Sequence, residues 1–589
     1  MKASDAVATF LLDRGITTGF GIIGSANSHL YDSFNKAGVR VINVHNEQAA
    51  VLAAGAFYRT CGQLSFALVT AGGGVTNAVT GVVSLWADST PVLIFSGQEA
   101  LRYLTAHAHR RMYGTQGLNI VNMVSGTTKY ARTVTSGNTI QDELEKAYAT
   151  ALDGRKGPVW LDMPFDVQAE RVEHRLWRPY VPAAFPPREA DMAEVVKLLE
   201  ASQRPVILCG HGVKLAGATS LFCGMLNHIR VPVLVTWSAI SCVSHDHPLF
   251  FGSPGIYGQR AANFIFQTAD FVLALGTRLT LPQTGYDTGE LARQAKIVMV
   301  DVDTTEHKEF AHLCIAADCG EFLRKFQSNA CVRPAWVETC AALRKEWPLV
   351  EAAHADGEFP NSYRMIDRIS DALKADQIIV TDMGTALLSG HQAIRLREGH
   401  TMFTSYGLGE MGYGLPAALG AAFAGNGREV LCLNCDGGMM MNLQEMQTII
   451  QHRLRVKIVI FNNDGYLMIK HTQNMLFNGD KVAVDHNTGI VLPDYVQLSK
   501  AFGYETFRVK SWSEFDFFFP RFMDFNGPAV CEIFMPTEQE FIPKVRGVLQ
   551  VDGTIFAPPL EEMSPVLPLD VMQRVMGAGL SAKSLRIAR

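Results

Sequence analysis

The 589-residue sequence has no apolar run of the roughly eighteen uncharged residues that a membrane-spanning helix needs. Nor has it any block of like charge. Its 52 basic and 57 acidic residues leave a net charge of −5, a balance that fits neither a nucleic-acid partner nor an anionic membrane surface. The eleven cysteines are scattered. Their one close pair, Cys432 and Cys435, lacks the second pair or histidine cluster that would complete a zinc site. Cys432 also lies in the apolar run Val430-Leu431-Cys432-Leu433, so the expectation is buried thiols in a reducing cytoplasm. The opening MKASDAVATFLLDRG spaces acidic side chains through an amphipathic pattern, which predicts the first helix of a domain and not a secretory leader. A G-x-G-x-x-G fingerprint after the first strand is missing, which argues against a nicotinamide-binding domain. There is no short-period repeat and no low-complexity tract.

What is present is an ordinary globular composition, 48% hydrophobic and 19% charged, in a chain long enough for about three to four domains. Short runs rich in Val, Ile and Leu alternate with helical patterns. The runs are 39–44, 64–69, 92–95, 159–161, 206–208, 231–236, 271–275, 297–300, 378–380, 430–433, 456–461 and 530–534. Near-continuous apolar strands separated by helices predict parallel sheets covered on both faces. The fold class is therefore α/β, with doubly wound parallel-sheet domains. A proline-rich stretch at 178–187 and a soft stretch at 351–361 read as joints. The expected domains are 1–177, 188–350 and 360–536, followed by a tail at 537–589. The Pro558-Pro559 pair of that tail is incompatible with a regular sheet.

The strongest chemical signal lies in the last third. One strand ends at Cys435-Asp436-Gly437-Gly438 and the next at Asn463-Asp464-Gly465. A carboxylate and an amide leaving the carboxyl ends of parallel strands meet where such sheets bind ligands. Oxygen ligands of this kind suit Mg²⁺ bridged to a diphosphate, and the glycines let backbone approach phosphate. Either turn alone is ordinary Asp-Gly turn chemistry; the two together, each after a buried strand, point to a site.

This pairing resembles the metal–diphosphate motif of thiamine-diphosphate enzymes, with Cys435 where glycine is usual. The resemblance makes Asp436 and Asn463 side-chain ligands of Mg²⁺ and gives Gly465 a backbone-carbonyl ligand. Three further segments are similar to the same family. His45-Asn46-Glu47 precedes an Ala-rich helix, and a glutamate so placed protonates the cofactor's aminopyrimidine ring. The turn Ala71-Gly72-Gly73-Gly74-Val75-Thr76-Asn77 resembles the glycine-rich turn of the pyrimidine-binding domain, with Gly72, Gly73 and Asn77 near the cofactor. Tyr406-Gly407-Leu408-Gly409-Glu410-Met411 resembles the segment whose bulky residue, here Met411, wedges the cofactor into its bent form. The implied order is pyrimidine-binding domain, central Rossmann-like domain and diphosphate-binding domain.

Within that family the chain is most similar to the acetolactate synthase and pyruvate oxidase group. Gln116 matches a catalytic glutamine of acetolactate synthases. Thr115 replaces their usual phenylalanine and Thr472 their tryptophan, so with Met468 these outline a wider substrate pocket. The tail resembles synthase-like proteins of surface-polysaccharide pathways, the YerE-type carboligases. The reading is decarboxylation of a 2-oxo acid, pyruvate above others, with transfer of the acyl carbanion to a ketone such as a nucleotide-linked keto-sugar. The alternatives are an acetolactate synthase, a simple 2-oxo-acid decarboxylase, or a non-catalytic thiamine-binding scaffold. His107 and His109 are either acid–base groups or solvated loop histidines. In the central domain Gly252, Gly276, Arg278, Asp301 and Asp318 stand where the synthase group holds FAD, and turns after parallel strands explain the same residues without it. The resemblance implies small-molecule substrates and a homodimer at minimum, with a homotetramer expected, because Glu47 and the Asp436 motif meet across a subunit boundary in the family.

Overall fold

The computed structural model describes all residues except His107, 329–332, 550–554 and 588–589. His107, and Asp552-Gly553 in the tail segment whose sequence resembles the synthase-like proteins, therefore lie outside the described residues.

Three parallel sheets form in chain order. The first contains β1 (Thr18–Gly21), β2 (Arg40–Asn43), β3 (Phe66–Val69), β4 (Leu93–Gln98), β5 (Tyr130–Thr133) and β6 (Val159–Pro164), in the order β2-β1-β3-β4-β6-β5. The second contains β7 (Pro205–Cys209), β8 (Val233–Val235), β9 (Phe271–Leu275), β10 (Lys296–Asp301) and β11 (Leu313–Ala316), ordered β11-β10-β9-β7-β8. The third contains β12 (Ile378–Thr381), β13 (Thr401–Phe403), β14 (Val430–Cys435), β15 (Val456–Asn462), β16 (Glu505–Val509) and β17 (Ala529–Phe534), ordered β13-β12-β14-β15-β17-β16. The first and third sheets thus share one topology.

Every apolar run of the sequence coincides with a strand. The strands it did not signal are β1, β5, β11, β13 and β16. The last four of these are sheet edges, where one flank carries no neighbour and the need for β-branched residues is weaker. β1 reads Thr-Gly-Phe-Gly and is short of apolar side chains.

The chain forms two compact units. One comprises residues 1–183, 376–386 and 401–534, and the other 184–375, 387–400 and 535–589. In the first unit a single apolar core runs through both six-stranded sheets, from Val51, Ala53 and Ala54 to Ala417, Ala421, Cys432 and Ile458. Helix Glu47–Cys61 crosses helix Gly414–Ala424 closely enough that a Cβ on Gly420 would lie 2.0 Å from the Ala53 carbonyl oxygen. Alanine and glycine on both helices are what permit that approach.

The second unit has its own core, to which the tail contributes Leu560, Met563, Met572 and Met576. Among its described residues the tail makes two-residue antiparallel pairings, Lys544–Val545 with Met563–Ser564 and Val548–Leu549 with Ile555–Phe556, and then helix Leu569–Met576. Buried Glu561 fastens it by accepting hydrogen bonds from Gln267 and Arg293. Among the described residues no helix is long and apolar enough to cross a membrane.

Candidate active site

In the third sheet the strand order reverses between β12 and β14, and the crevice at their carboxyl ends receives Asp382 and Asp436. Asp436 opens the short helix Asp436–Met439 and is fully buried. Its Oδ1 accepts from the Gly437 N–H at 2.8 Å, and its Oδ2 from the N–H groups of Asn463 (3.0 Å) and Gly465 (2.9 Å). Burial pushes this carboxyl up to about 7 against the pull of those three donors. The ends of β14 and β15 are thereby tied together by one side chain.

Asn463 donates through Nδ2 to Thr385 Oγ1 at 2.9 Å, while its Oδ1 is buried with no partner among the described residues. Beside Gly438, Asn434 also leaves its buried Nδ2 without a partner. The orphaned Asn463 oxygen, beside Asp436, is what a cation would satisfy, whereas the Asn434 N–H faces the start of helix Gly414–Ala424.

Gly465 has φ +111°, and a Cβ there would lie 2.1 Å from the Val484 carbonyl oxygen. Gly437 and Gly438 are crowded by the protein itself: a Cβ would meet the Tyr466 ring at 2.4 Å and Asp382 Oδ2 at 2.2 Å, respectively. The packing of the chain therefore already requires glycine at both positions. The Met411 Cε lies 3.5 Å from that same Gly437 position, and Gly409 (φ +72°) turns the chain just ahead of it. Asp382 anchors this segment, accepting from the N–H groups of Gly412 (3.0 Å) and Tyr413 (3.1 Å), and burial raises its carboxyl to about 7. Cys435, standing where glycine is usual in the family, accepts from the Ala386 N–H at 3.3 Å, so the substitution has a local role.

Glu47 is the first residue of helix Glu47–Cys61 and is 8% exposed. Its Oε2 accepts from Asn77 Nδ2 at 3.0 Å. Gly74, in the first turn of helix Gly73–Ala87, leaves 3.2 Å between its Cβ position and Glu47 Oε1. Gly72 sits at φ +71° against Gln116, whereas Gly73 has open space around its Cβ position, so only Gly72 is sterically constrained. The amide of His45 donates to Glu445 Oε1 at 2.9 Å, which links this corner to the third sheet's helices. Two clusters result, one around Asp436 and one around Glu47, with no hydrogen bond between those two carboxylates among the described residues.

Gln116 and Thr115 are exposed, and their amides are held by Glu99 Oε1 at 2.8 and 3.0 Å. His109 is exposed as well. Helix Leu467–Leu476 carries half-buried Met468 and exposed Thr472, whose hydroxyl turns back to the Met468 carbonyl.

Lys470, on the same helix, was not anticipated. It is 1% exposed, donates to the carbonyls of Asp464 (3.1 Å) and Asn463 (3.4 Å), and pairs with Asp485 at 3.6 Å. The sequence carries no local signal for it, because burial of a charged side chain is set by what surrounds it.

In the second unit the residues matched to FAD positions do local work. Gly252 (φ +96°) fits against Gln259, and Gly276 (φ +59°) approaches the Gly212 backbone within 2.6 Å of its Cβ position. Asp301 accepts from the Asp303 amide at 2.9 Å, Asp318 caps helix Cys319–Lys325, and Arg278 is half-buried.

Comparison with known proteins agrees with this architecture. Residues 1–123 match the N-terminal TPP binding domain of thiamine pyrophosphate enzymes, 192–326 the central domain, and 382–533 the C-terminal TPP binding domain. The acetolactate synthase isozyme 2 large subunit of Escherichia coli is 30% identical over 507 residues, covering 85% of this chain and 90% of that protein. The isozyme 1 large subunit of the same organism is 30% identical over 550 residues, covering 92% and 95%. A probable acetolactate synthase large subunit of Methanocaldococcus jannaschii is 29% identical, covering 87% of this chain and 88% of its own length. The chain belongs to the thiamine pyrophosphate enzymes of the acetolactate synthase type.

Proposed function

We propose that this enzyme uses thiamine diphosphate and Mg²⁺ to decarboxylate a 2-oxo acid, with pyruvate the favoured donor, and joins the acyl fragment to a ketone to give a branched tertiary alcohol. The observation that carries the cofactor reading is the orphaned buried oxygen of Asn463, Oδ1, beside the buried Asp436 carboxylate that accepts from the Asn463 amide. Asp436, Asn463 and the Gly465 carbonyl would hold the ion, and Gly437 and Gly438 would flank the diphosphate. When bound, the cofactor supplies the electron sink that lets CO₂ leave a 2-oxo acid.

The chain's own residues orient and move protons. Glu47 Oε2 is occupied by Asn77, which leaves Oε1 to hold a proton against the cofactor ring. Met411 would support the cofactor, on a segment that Asp382 fixes at its far end. Gln116, its backbone set by Glu99, is placed to orient the substrate.

The acceptor reading rests on Thr115 and Thr472. Both are small and exposed, and leave more room than the rings expected there. A keto-sugar carried on a nucleotide, as in YerE-type carboligases, is an acceptor of that size. The named relatives favour a second reading, synthesis of acetolactate from two 2-oxo acids. A dimer or tetramer is part of the proposal. Exposed Trp86, Leu408, Met440 and Met441 lie along and around residues 407–412 and offer an apolar surface for a second copy.

The deciding experiment supplies thiamine diphosphate, Mg²⁺ and pyruvate and measures CO₂ with and without a bulky ketone. CO₂ release that rises with the ketone, with a tertiary alcohol as product, supports the carboligase. Acetolactate as the main product supports the second reading, and no CO₂ removes pyruvate as donor. A flavin absorbance band in the purified protein would establish FAD, for which the crevice between β7 and β9, at Gly210, Gly212 and Gly276, is the place proposed.

A further inference from the structure

The second unit contains a cavity of about 290 Å³ that shares no residue with the clusters around Asp436 and Glu47, although Gly252 lies in its wall. Its walls include His245, Phe250, Arg344, Trp347, Asp367 and Arg395. Arg344 stands in the last turn of helix Pro334–Glu346. Its Nη1 donates to the Phe250 carbonyl at 2.8 Å, and its Nη2 donates to His245 Nε2 at 2.9 Å and to the His245 carbonyl at 3.0 Å. Among the described residues no carboxylate lies within 4.0 Å of this guanidinium, and its Nε–H and second Nη1–H have no acceptor.

Because His245 Nε2 accepts from Arg344, the imidazole is neutral with its hydrogen on Nδ1, a further donor without an acceptor among the described residues. Burial and the adjacent guanidinium both oppose its protonation. Arg395 spends Nε and Nη2 on Asp367 and Asp371, and its Nη1 has no acceptor among the described residues.

Of the two wall arginines, Arg395 is paired with Asp367 and Asp371, whereas Arg344 feels Asp246 only from beyond contact distance, so Arg344 is the cation open to an anion. Phe250, Trp347, Pro348 and Leu349 supply apolar surface beside them. Arg344 thus offers the cavity separate N–H donors on a cation, which suits an anionic oxygen such as that of a carboxylate, and the apolar walls suit a hydrocarbon body. We infer that this cavity is a binding site for a small monocarboxylate with a hydrocarbon body, held by Arg344.

The test uses 4-methylpentanoate as probe, with 4-methylpentanamide as its uncharged isostere and inorganic phosphate as the dianion, titrated calorimetrically into the full-length protein. The Glu47→Gln variant serves as host so that turnover does not interfere. The acid is expected to bind with one site per chain, and the amide at least about tenfold more weakly, as loss of a charge-assisted pair implies. Arg344→Met should abolish binding. Since Arg344 also braces two carbonyls, Leu349→Trp provides a second variant that fills the cavity and leaves those bonds intact, and it too should abolish binding. Equal binding of acid and amide, tighter binding of phosphate, undiminished binding by the Leu349→Trp protein, or no binding of the acid would each overturn the assignment.

Discussion

At the scale of single residues, Glu47 and Asn463 carry the sharpest expectations. Replacing Glu47 by Gln keeps the acceptor oxygen for Asn77 but removes the titratable proton. CO₂ release from pyruvate should fall by about a hundredfold or more, with thiamine diphosphate binding by calorimetry unchanged. An unaffected rate would remove Glu47 from the mechanism and favour a scaffold role for the chain.

Lys470 makes a different prediction, because it touches the Asn463 and Asp464 carbonyls and Asp485. Lys470→Met leaves a mostly buried carboxylate and two carbonyls without their donor. We expect a loss of about 3 kcal/mol in unfolding free energy and weaker Mg²⁺ binding, read by denaturant titration and by metal-dependent fluorescence. Asp436 and Glu47 were legible in the sequence because turn residues after buried strands are distinctive. Lys470 and Asp382 were not, since burial of a charged side chain is a property of what surrounds it.

At the scale of elements, the crossing of helices Glu47–Cys61 and Gly414–Ala424 joins the corner that carries Glu47 to the sheet that carries Asp436. A methyl on Gly420 has no room against the Ala53 backbone. Gly420→Ala should therefore destabilise the protein by about 3 kcal/mol, measured by thermal or denaturant unfolding, although alanine is the better helix former. An unchanged midpoint would mean that the two helices separate at little cost.

The edge strands make a related point. β5, β13 and β16 were missed in the sequence because their pairing depends on a neighbour supplied by the sheet, not on an apolar run of their own. The shared topology of the first and third sheets was equally invisible, since it is a relation between strand orders and not between residue patterns.

At the scale of the whole molecule, stability should depend on pH through Asp162. This carboxyl is buried at the end of β6 and accepts from Ser96, Gln98 and Thr133, yet burial outweighs those bonds and raises it to about 6. The folded state then binds the proton more tightly than the unfolded chain, in which the carboxyl titrates near its ordinary value of about 4. The contribution of Asp162 is thus most favourable below about pH 4, declines as pH rises to about 6, and is constant above that. The full span is at most about 3 kcal/mol. Asp162→Asn should flatten that part of the stability–pH curve, whatever it does to absolute stability; an unaltered slope would show that the group titrates normally.

Assembly is the second expectation at this scale. If the exposed apolar side chains around residues 407–412 meet a second copy, light scattering should give at least a dimer, and dilution to monomer should lower activity.

The sequence by itself determined the α/β class, the strands of the sheet interiors other than β1, and the segments that bear Asp436, Asn463 and Glu47. Each of these is set by local pattern: apolar runs with two buried faces, and acid, amide and glycine where a strand ends. Only the tertiary structure decided which buried atoms go without partners, which glycines are crowded by their own chain, that Lys470 braces the Asn463 loop, and that Arg344 faces a cavity with donors to spare. Those properties depend on desolvation and on neighbours brought from distant parts of the chain, and no reading of adjacent residues contains them.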